Sequence, residues 1–325
     1  EEFLVNYNLL KELGEWPTVI THKDEFPEVA YEDIVVDAIF GNGLTRKPKG
    51  FVKKLIEYIN STNAFTLAID FPSGLFSHTA VSDKESVLKA EHVLTFQTPK
   101  LPFLIPDNKD FLNTWEVLDI GLDSAFIESL KTAKQFITKN DILPLYKPRN
   151  KWSHKGTFGH SLLIGGSFGK IGAISLATKA ALKIGSGLVS AYLPKCGYNA
   201  IQTSIPEAMV EVDDDKALKY FNFKTQPTVI GIGPGMGTAE KTIKGFEAFL
   251  KENTKSLVLD ADALNILSLR TDLLNYLPKE AVLTPHPKEL ERLIGTWKSD
   301  YEKLQKTADF SKKYNCIIVL KGTYT

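Results

Sequence analysis

The sequence predicts an α/β protein in which each half of the chain builds a parallel β-sheet covered by helices. Short apolar runs alternate with helical patterns along most of the 325 residues, which is typical of strands joined by helical crossovers. Glycines and polar residues repeatedly follow the apolar runs, as in open sheets that bind ligands at the carboxyl ends of their strands. The alternation breaks once, at residues 123–150, and then restarts.

In the first half, the apolar runs predict buried strands and the periodic stretches between them predict helices. The opening stretch, "EEFLVNYNLLKELG", is typical of an amphipathic helix, and "GFVKKLIEYINS" (50–61) predicts a second one. The predicted strands are "DIVVDAIFG" (33–41), "FTLAIDFPSG" (65–74) and "EHVLTF" (91–96), and the pattern weakens after "WEVLDIGL" (115–122).

In the second half, each predicted strand runs directly into a turn. A helix rich in small residues is predicted at "GAISLATKAALKIGSG" (172–187). The predicted strands are "HSLLIGGS" (160–167), "LVSAYLP" (188–194), "PTVIGIGPG" (227–235), "SLVLDADALN" (256–265), "AVLTPHP" (281–287) and "CIIVLKG" (316–322).

The length of the chain favours two domains, because a single core rarely grows to 325 residues. The polar segment that ends in "LPLYKPRNKW" contains two prolines and is typical of a linker. We therefore expect a first domain at 1–125, a linker at 126–150 and a second domain at 151–325.

Composition excludes several classes of protein. Lys plus Arg and Asp plus Glu both total 39, so the chain lacks the positive field that nucleic acids and anionic membranes require. No apolar run approaches the roughly 20 residues that span a bilayer. Cys196 and Cys316 lie among apolar or small residues, which indicates buried thiols in a reducing compartment. The cytoplasm is the expected location.

Polar side chains at the ends of strands indicate chemistry in the first half. Asp37 lies inside an apolar run, and Asp70 and Ser73 flank the turn that follows another. Two aspartates and a serine offer the hard oxygens that a cation requires. Lys100 follows a third strand, and an aspartate and a lysine in one crevice could act as acid and base. The alternative for Asp37 is a structural role in capping the loop.

Two glycine-rich turns mark the second half. "LLIGGSFGKIGA" lacks the Walker A pattern, and "GIGPGMG" lacks the Rossmann fingerprint because its third glycine falls one place away. Either turn could bring the backbone close to a ligand, and tight turns without a ligand are the alternative.

Charged residues follow the later strands. "VLDADALN" predicts Asp260 and Asp262 on one face at a strand end. His286 stands between two prolines and is a rigid candidate for contact with substrate, whereas zinc is not expected there because a third ligand is lacking. "LKGTYT" combines Lys321 with hydroxyl residues, which suits nucleotide phosphates.

Three motifs of the first half, "VDAIFGNGLTR", "AIDFPSGL" and "VLTFQTPK", resemble the epimerase domain of the NAD(P)H-hydrate repair enzymes over about residues 1–122. The resemblance implies a Rossmann-like three-layer domain that interconverts R and S hydrates of NADH and NADPH. It implies that Asp37 and Ser73 bind K⁺ and that Asp70 contacts the substrate and is the best candidate for acid/base chemistry. The loop implied to bind substrate comprises Gly41, Asn42, Gly43, Leu44, Thr45, Arg46 and Lys47.

Five motifs of the second half, "HKGTFGHSLLIGGSFGKIGA", "GIGPGMG", "VLDADALN", "LTPHPKELERL" and "VLKGTYT", resemble the ADP/ATP-dependent NAD(P)H-hydrate dehydratases. The resemblance implies a ribokinase-like α/β domain that uses ADP or ATP with Mg²⁺, in the domain order of the bacterial bifunctional enzymes. It implies that Ala173, Gly235 and His286 contact the hydrated nucleotide. The residues implied to bind ADP phosphates are Lys321, Gly322, Thr323, Tyr324 and Thr325.

Two motifs of the family are absent from these 325 residues. The Asn-Asn-Gly-Gly-Asp loop with the third K⁺ ligand is expected before the first residue, and the Gly-Ser-Gly-Asp motif with the dehydratase aspartate after Thr325. We therefore expect a chain truncated at both ends.

The resemblance implies repair of NADHX and NADPHX at the expense of ADP. A ribokinase-like kinase of a vitamin precursor and a non-catalytic nucleotide-binding scaffold are the alternatives. The sequence does not decide whether ADP or ATP is preferred, which of the two hydrates is preferred, or whether the protein is a monomer or a homo-oligomer.

Overall fold

The computed structural model of the chain describes residues 2–214 and 216–325. The chain divides into two compact units, and the division falls between Phe136 and Ile137. Glu1, which the predicted first helix includes, lies outside the described residues. The assignment of 1–125, 126–150 and 151–325 to two catalytic domains and a linker stays a prediction.

The first unit is built on a parallel sheet that has four strands within the described residues. The strands, in their order across the sheet, are β1 (Ile34–Asp37), β2 (Phe65–Ile69), β3 (Ala90–Phe96) and β4 (Leu112–Leu118). The helices are α1 (Glu2–Glu12), α2 (Gly50–Thr62) and α3 (Ser124–Ser129). Helix α2 ends where Asn63 adopts a left-handed conformation, which asparagine tolerates better than most residues.

Strand β1 corrects the prediction of a buried strand at 33–41. Ile34 and Val36 are 68% and 57% exposed, so the described residues leave this face of the edge strand β1 uncovered. Asp37, at the carboxyl end of β1, points the other way and is buried. The edge strand therefore places the Asp37 carboxylate in a buried position and leaves its other, apolar face exposed.

The core of the first unit lies beneath the turn that follows β2. Phe71 and Leu75 on this turn are fully buried, and the Phe71 ring packs 5.2 Å from that of Phe103. Gly74 has a φ of +94°, and a Cβ there would lie 2.0 Å from the carbonyl oxygen of Ser86. The turn that carries Ser73 therefore has one tightly packed conformation.

The second unit is built on a larger parallel sheet, with seven strands among its described residues. The strands are β5 (His160–Ile164), β6 (Leu188–Leu193), β7 (Met209–Val212), β8 (Val229–Ile232), β9 (Ser256–Leu259), β10 (Val282–Leu283) and β11 (Ile317–Ile318). The helices are α4 (Lys139–Ile142), α5 (Ile171–Ile184), α6 (Tyr198–Ser204), α7 (Glu240–Glu252), α8 (Asp262–Leu269), α9 (Pro287–Ile294) and α10 (Asp300–Tyr314). The prediction of an α/β protein with parallel sheets is confirmed.

The strand order of this sheet, β11-β10-β9-β8-β5-β6-β7, contains one reversal. The chain runs outward from β5 through β6 to β7, crosses back to β8 on the other side of β5, and then runs outward to β11. The neighbouring strands β5 and β8 therefore mark a topological switch point, where open parallel sheets form a crevice at the carboxyl ends of their strands.

Three details differ from the sequence predictions. Cys196 is exposed because it lies in the turn between β6 and α6, whereas Cys316 is buried as predicted. Asp262 is the first residue of α8, not part of a strand end shared with Asp260. Strand β7 was not predicted.

The described residues contain no helix of the length and apolarity that crossing a membrane requires.

Candidate functional site

In the first unit, the structure brings Asp37 and Ser73 into direct contact. The Ser73 hydroxyl donates to Oδ1 of Asp37 at 2.6 Å, and the Ser73 N–H donates to Oδ2 at 2.7 Å. Both side chains are buried. Burial raises the pKa of Asp37 above its ordinary value, and the hydrogen bonds from Ser73 offset only part of that effect.

This pair fits the hard-oxygen ligands of a monovalent cation. A carboxylate and a hydroxyl lie side by side, and the carbonyl oxygen of Phe40 lies 3.5 Å from the Ser73 hydroxyl. A cation here would favour the ionised form of Asp37, which burial disfavours. The described residues hold no cluster of three or more His, Cys, Asp or Glu side chains that would indicate a transition metal instead.

Asp70 and Lys100 form a second pair at the ends of β2 and β3. The Lys100 Nζ lies 3.6 Å from Oδ1 of Asp70, and the two side chains are 15% and 17% exposed, respectively. Asp70 has a φ of +64°, a conformation that non-glycine residues rarely adopt and that recurs at functional sites. Burial lowers the pKa of Lys100 below its ordinary value, although Asp70 acts in the opposite direction.

One short segment, residues 40–42, joins the two pairs. The Phe40 N–H donates to the Ser73 hydroxyl at 2.9 Å, and the Asn42 N–H donates to Oδ2 of Asp70 at 3.2 Å. This segment begins the predicted substrate loop, whose Arg46 and Lys47 side chains are exposed. The four predicted polar residues and the loop therefore lie at one edge of the sheet.

A separate groove of about 660 Å³ opens in the first unit. Lys89 and Phe111 in its wall come directly before β3 and β4, so it lies at the amino ends of these strands. None of the predicted site residues lines it. The carboxyl-end cluster is therefore the better candidate for chemistry, because its charged groups are buried or half-buried and paired.

In the second unit, the two glycine-rich turns meet at the switch point between β5 and β8. The Gly166 N–H donates to the carbonyl oxygen of Pro234 at 2.8 Å, and the Ser167 hydroxyl donates to that of Gly235 at 2.8 Å. A Cβ at Gly165 would lie 2.4 Å from the Pro234 oxygen. Glycine is therefore required where the two loops pack backbone against backbone.

The structure also brings Ala173 and Gly235 together. Ala173 lies in the first turn of α5, and a Cβ built on Gly235 would lie 3.1 Å from the Ala173 Cβ. Gly235 has a φ of +67°. The first turn of a helix carries a partial positive charge, which suits an anionic ligand.

His286 is the N-terminal cap of α9, and its ring is held in place. Its Nδ1 accepts from the Lys288 N–H at 3.2 Å, and its Nε2 lies 3.3 Å from Oε1 of the buried Glu289. The Glu289 carboxylate also accepts from the His286 N–H at 2.9 Å. The capping arrangement fixes the ring beside the carboxyl end of β10.

Lys321 follows β11 and pairs with a carboxylate that follows β9. Its Nζ lies 2.7 Å from Oδ1 of Asp260, and the side chains are 43% and 36% exposed. The Lys321 N–H donates to the carbonyl oxygen of Pro285 at 3.0 Å. Residues 322–325 are exposed, and their role in binding phosphates stays a prediction.

The sequence predictions did not assign partners to several residues of this unit. Asp260 pairs with a lysine 61 positions away, and Arg292 donates to Asn265 across 27 positions. The charge of Asp260 directly after an apolar run was a signal for the first, but no local pattern indicates its partner.

Comparison with known proteins gives the following similarities. Residues 161–325 match the family model described as NAD(P)H-hydrate dehydratase, and residues 1–101 match the model described as YjeF-related protein N-terminus. The chain is 33% identical to the bifunctional NAD(P)H-hydrate repair enzyme Nnr of Moorella thermoacetica, over 91% of this chain and 58% of that protein. It is 33% identical to the Escherichia coli enzyme of that name, over 90% of this chain and 56% of that one. The chain thus spans somewhat more than half the length of these relatives.

The chain is also similar to a protein of known structure that is named for one of these activities. It is the ADP/ATP-dependent NAD(P)H-hydrate dehydratase of Bacillus subtilis, co-crystallised with ATP and Mg²⁺. The two chains are 26% identical over 57% of this chain and 65% of that one, and the TM-score is 0.45.

Proposed function

The chain belongs to the NAD(P)H-hydrate dehydratase family, and we propose that it repairs hydrated nicotinamide nucleotides with both of its units. The first unit equilibrates the R and S hydrates, and the second unit removes water from the S hydrate at the expense of ADP or ATP. The observation that carries the proposal is the switch-point cluster, where the loops around Gly165 and Gly235 meet the first turn of α5. The domain limits in this proposal are 1–125 for the epimerase, 126–150 for the linker and 151–325 for the dehydratase.

In the first unit, Asp70 and Lys100 act on the hydroxyl at C6 of the hydrated ring. The Lys100 ammonium donates a proton to the departing oxygen, and Asp70 accepts one from the water that returns to the carbon. Two features support this division: the groups lie 3.6 Å apart, and burial lowers the pKa of Lys100, which makes the ammonium a stronger acid. The loop 41–47 binds the phosphates of the substrate.

Asp37 and Ser73 hold the K⁺ of this unit. The ion, when bound, supplies positive charge that keeps the buried carboxylate ionised. Since Ser73 also accepts from the Phe40 N–H, the pair orders the start of the substrate loop.

In the second unit, Ala173, Gly235 and His286 contact the hydrate. Lys321 and residues 322–325 bind the phosphates of the nucleotide, since an ammonium on a strand end beside exposed backbone and hydroxyl groups suits phosphate oxygens. Mg²⁺, when bound with the nucleotide, neutralises phosphate charge beside the leaving oxygen. The rigid cap at His286 keeps the imidazole at one position relative to the hydrate.

One assay tests the proposal. The protein receives a mixture of R and S hydrates with ADP and Mg²⁺, and the return of the dihydronicotinamide absorbance is followed. We expect both epimers to be consumed. Consumption of the S hydrate alone would contradict the role of the first unit, and consumption of neither would contradict the proposal as a whole. Replacement of ADP by ATP, and of one hydrate by the other, determines the preferred nucleotide and substrate.

A further inference from the structure

The turn between β9 and α8 carries two aspartates, Asp260 and Asp262, whose carboxylates contact different parts of the second unit. Ala261, between Asp260 and Asp262, has φ +49° and ψ −117°, a conformation that a side chain normally disfavours. On one side of it, Asp260 reaches Lys321. On the other side, Asp262 begins α8 and reaches the glycine loop after β8. The unusual conformation of Ala261 therefore directs the Asp260 and Asp262 carboxylates towards different partners.

Asp262 is the centre of a chain of three hydrogen bonds. Its Oδ2 accepts from the Gly237 N–H at 2.9 Å, and its Oδ1 accepts from Nδ2 of Asn265 at 3.1 Å. The Asn265 Oδ1 accepts in turn from Nη1 of Arg292 at 2.7 Å. The chain runs from the loop that contains Gly235, across α8, to the last turn of α9.

The roles along this chain are complementary throughout. The carboxylate accepts twice, the amide donates with its nitrogen and accepts with its oxygen, and the guanidinium only donates. The Asn265 amide therefore has one favourable orientation. In that orientation it links the Arg292 guanidinium to the Asp262 carboxylate by two hydrogen bonds. Asp262 and Asn265 are half-buried, where such bonds are stronger than in bulk water.

The two ends of this chain support residues of the proposed hydrate site. Gly237 lies two positions after Gly235, and Arg292 lies on the helix that His286 caps. We propose that Asp262 is a positioning residue, which holds the loop of residues 233–237 in register with α9 so that Gly235 and His286 meet one hydrate molecule. This inference rests on the proposed function of the second unit.

The nucleotide end of the site has separate support. Lys321 is held by Asp260 and by the carbonyl oxygen of Pro285, and neither contact involves Asp262. Loss of the Asp262 carboxylate should therefore weaken binding of the hydrate and leave binding of the nucleotide nearly unchanged. A general loss of stability would affect both ligands alike.

The test measures KM for the hydrate and for ADP in Asp262→Ala. We expect KM for the S hydrate to rise about tenfold and KM for ADP to change less than about twofold, because misplacement of a binding group by a fraction of an ångström is costly. Asp262→Asn should lie between wild type and Asp262→Ala, since an amide can accept from Gly237 but then turns its NH₂ towards that of Asn265. The matched control is Asp272→Ala, an exposed aspartate of the same unit that pairs with Arg270.

A double variant and hydrogen exchange complete the test. Asp262→Ala combined with Arg292→Ala should cost less than the sum of the single effects, because both act through Asn265. The Gly237 amide should exchange faster with solvent in Asp262→Ala. Equal changes in both KM values, or unchanged exchange at Gly237, would overturn the inference. Absence of hydrate turnover in the wild-type protein would overturn the proposed function instead, and exchange at Gly237 would still decide whether Asp262 positions the loop.

Discussion

The candidate site of the first unit consists mainly of side chains, whereas that of the second unit consists mainly of backbone groups. In the first unit, side chains make the site: Asp37, Asp70 and Lys100 are shielded charges that lie within hydrogen-bonding or ion-pair distance of a partner. In the second unit, the backbone makes the centre of the site, and the charged Lys321 and Asp260 are substantially exposed. The first site should therefore respond to pH and to changes of charge, and the second to any atom that is added to its glycine loops.

The largest effect is expected from Gly233→Ala in the second unit. Gly233 has a φ of +127°, and its Cβ would lie 1.8 Å from the carbonyl oxygen of Asp260. We expect a loss of about 3 kcal/mol in the free energy of unfolding of this unit, because both the clash and the backbone conformation disfavour alanine. Urea unfolding followed by a probe in the second unit measures the loss.

Gly172→Ala is the matched control for this change. Gly172 lies in the first turn of α5 and has no atom within 4 Å of a built Cβ, so alanine should change stability by less than about 1 kcal/mol. If both variants unfold at the same urea concentration, the close approach of the loops does not determine stability, and the contrast between the units is wrong.

Next in size is the effect of Lys100→Met on the first unit. Loss of a general acid should lower the rate of epimerisation about a hundredfold, while dehydration of pure S hydrate continues. Exchange between R and S hydrates is followed by chromatography. Lys84→Met, which alters an exposed lysine paired with Asp110, serves as the control. A parallel loss of dehydration would show that the substitution acts beyond the first unit.

The same residue predicts an alkaline limit to epimerisation. Because burial lowers the pKa of Lys100 below its ordinary 10.5, the ammonium loses its proton, and the rate falls, as the pH rises through that lowered value. Lys100→Arg should move the limit to higher pH, since a guanidinium stays protonated. A pH–rate profile that is identical for both proteins would remove Lys100 from the reaction.

A smaller effect is expected from Lys321→Ala in the second unit. The change removes one charge from the proposed phosphate site and should weaken binding of ADP about tenfold, as for other hydrogen bonds to charged groups. Calorimetric titration with ADP measures it, with Lys313→Ala on α10 as the control. Epimerisation should be unaffected; if it is lost, the division of labour between the units is wrong.

The smallest effect concerns pH and K⁺ in the first unit. The pKa of Asp37 is raised above 3.8 by burial, so protons displace the cation as the pH falls through that raised value. We expect the K⁺ concentration for half-maximal epimerisation to rise a few-fold on acidification and to be independent of pH in Asp37→Asn.

The effect of pH on the stability of the first unit has the opposite sign. Without a cation, the protonated form of Asp37 favours folding at low pH, and this contribution is lost as the pH rises through the folded-state pKa. Thermal melts with and without K⁺ separate the two effects.

Much of the fold was predictable, because strands and helices leave periodic patterns in the sequence. The run "HSLLIGGS" became β5 and its glycine turn, and "GFVKKLIEYINS" became α2 almost residue for residue. The failures came where burial depends on the tertiary environment. Ile34 was predicted to be buried but is exposed on an edge strand, Cys196 was predicted to be buried but is exposed, and strand β7 was not predicted.

The sequence by itself determined the alternation of strands and helices, the positions of the glycine turns and the family of the second unit. It also placed most of the candidate residues at or after the end of a strand, because apolar runs and turn residues are local signals. Only the tertiary structure decided which of these residues meet. Asp37 finds Ser73 across 36 positions and Lys321 finds Asp260 across 61, and the glycine turns meet because β8 lies beside β5. The order of strands in a sheet depends on how the whole chain packs, which no local pattern specifies.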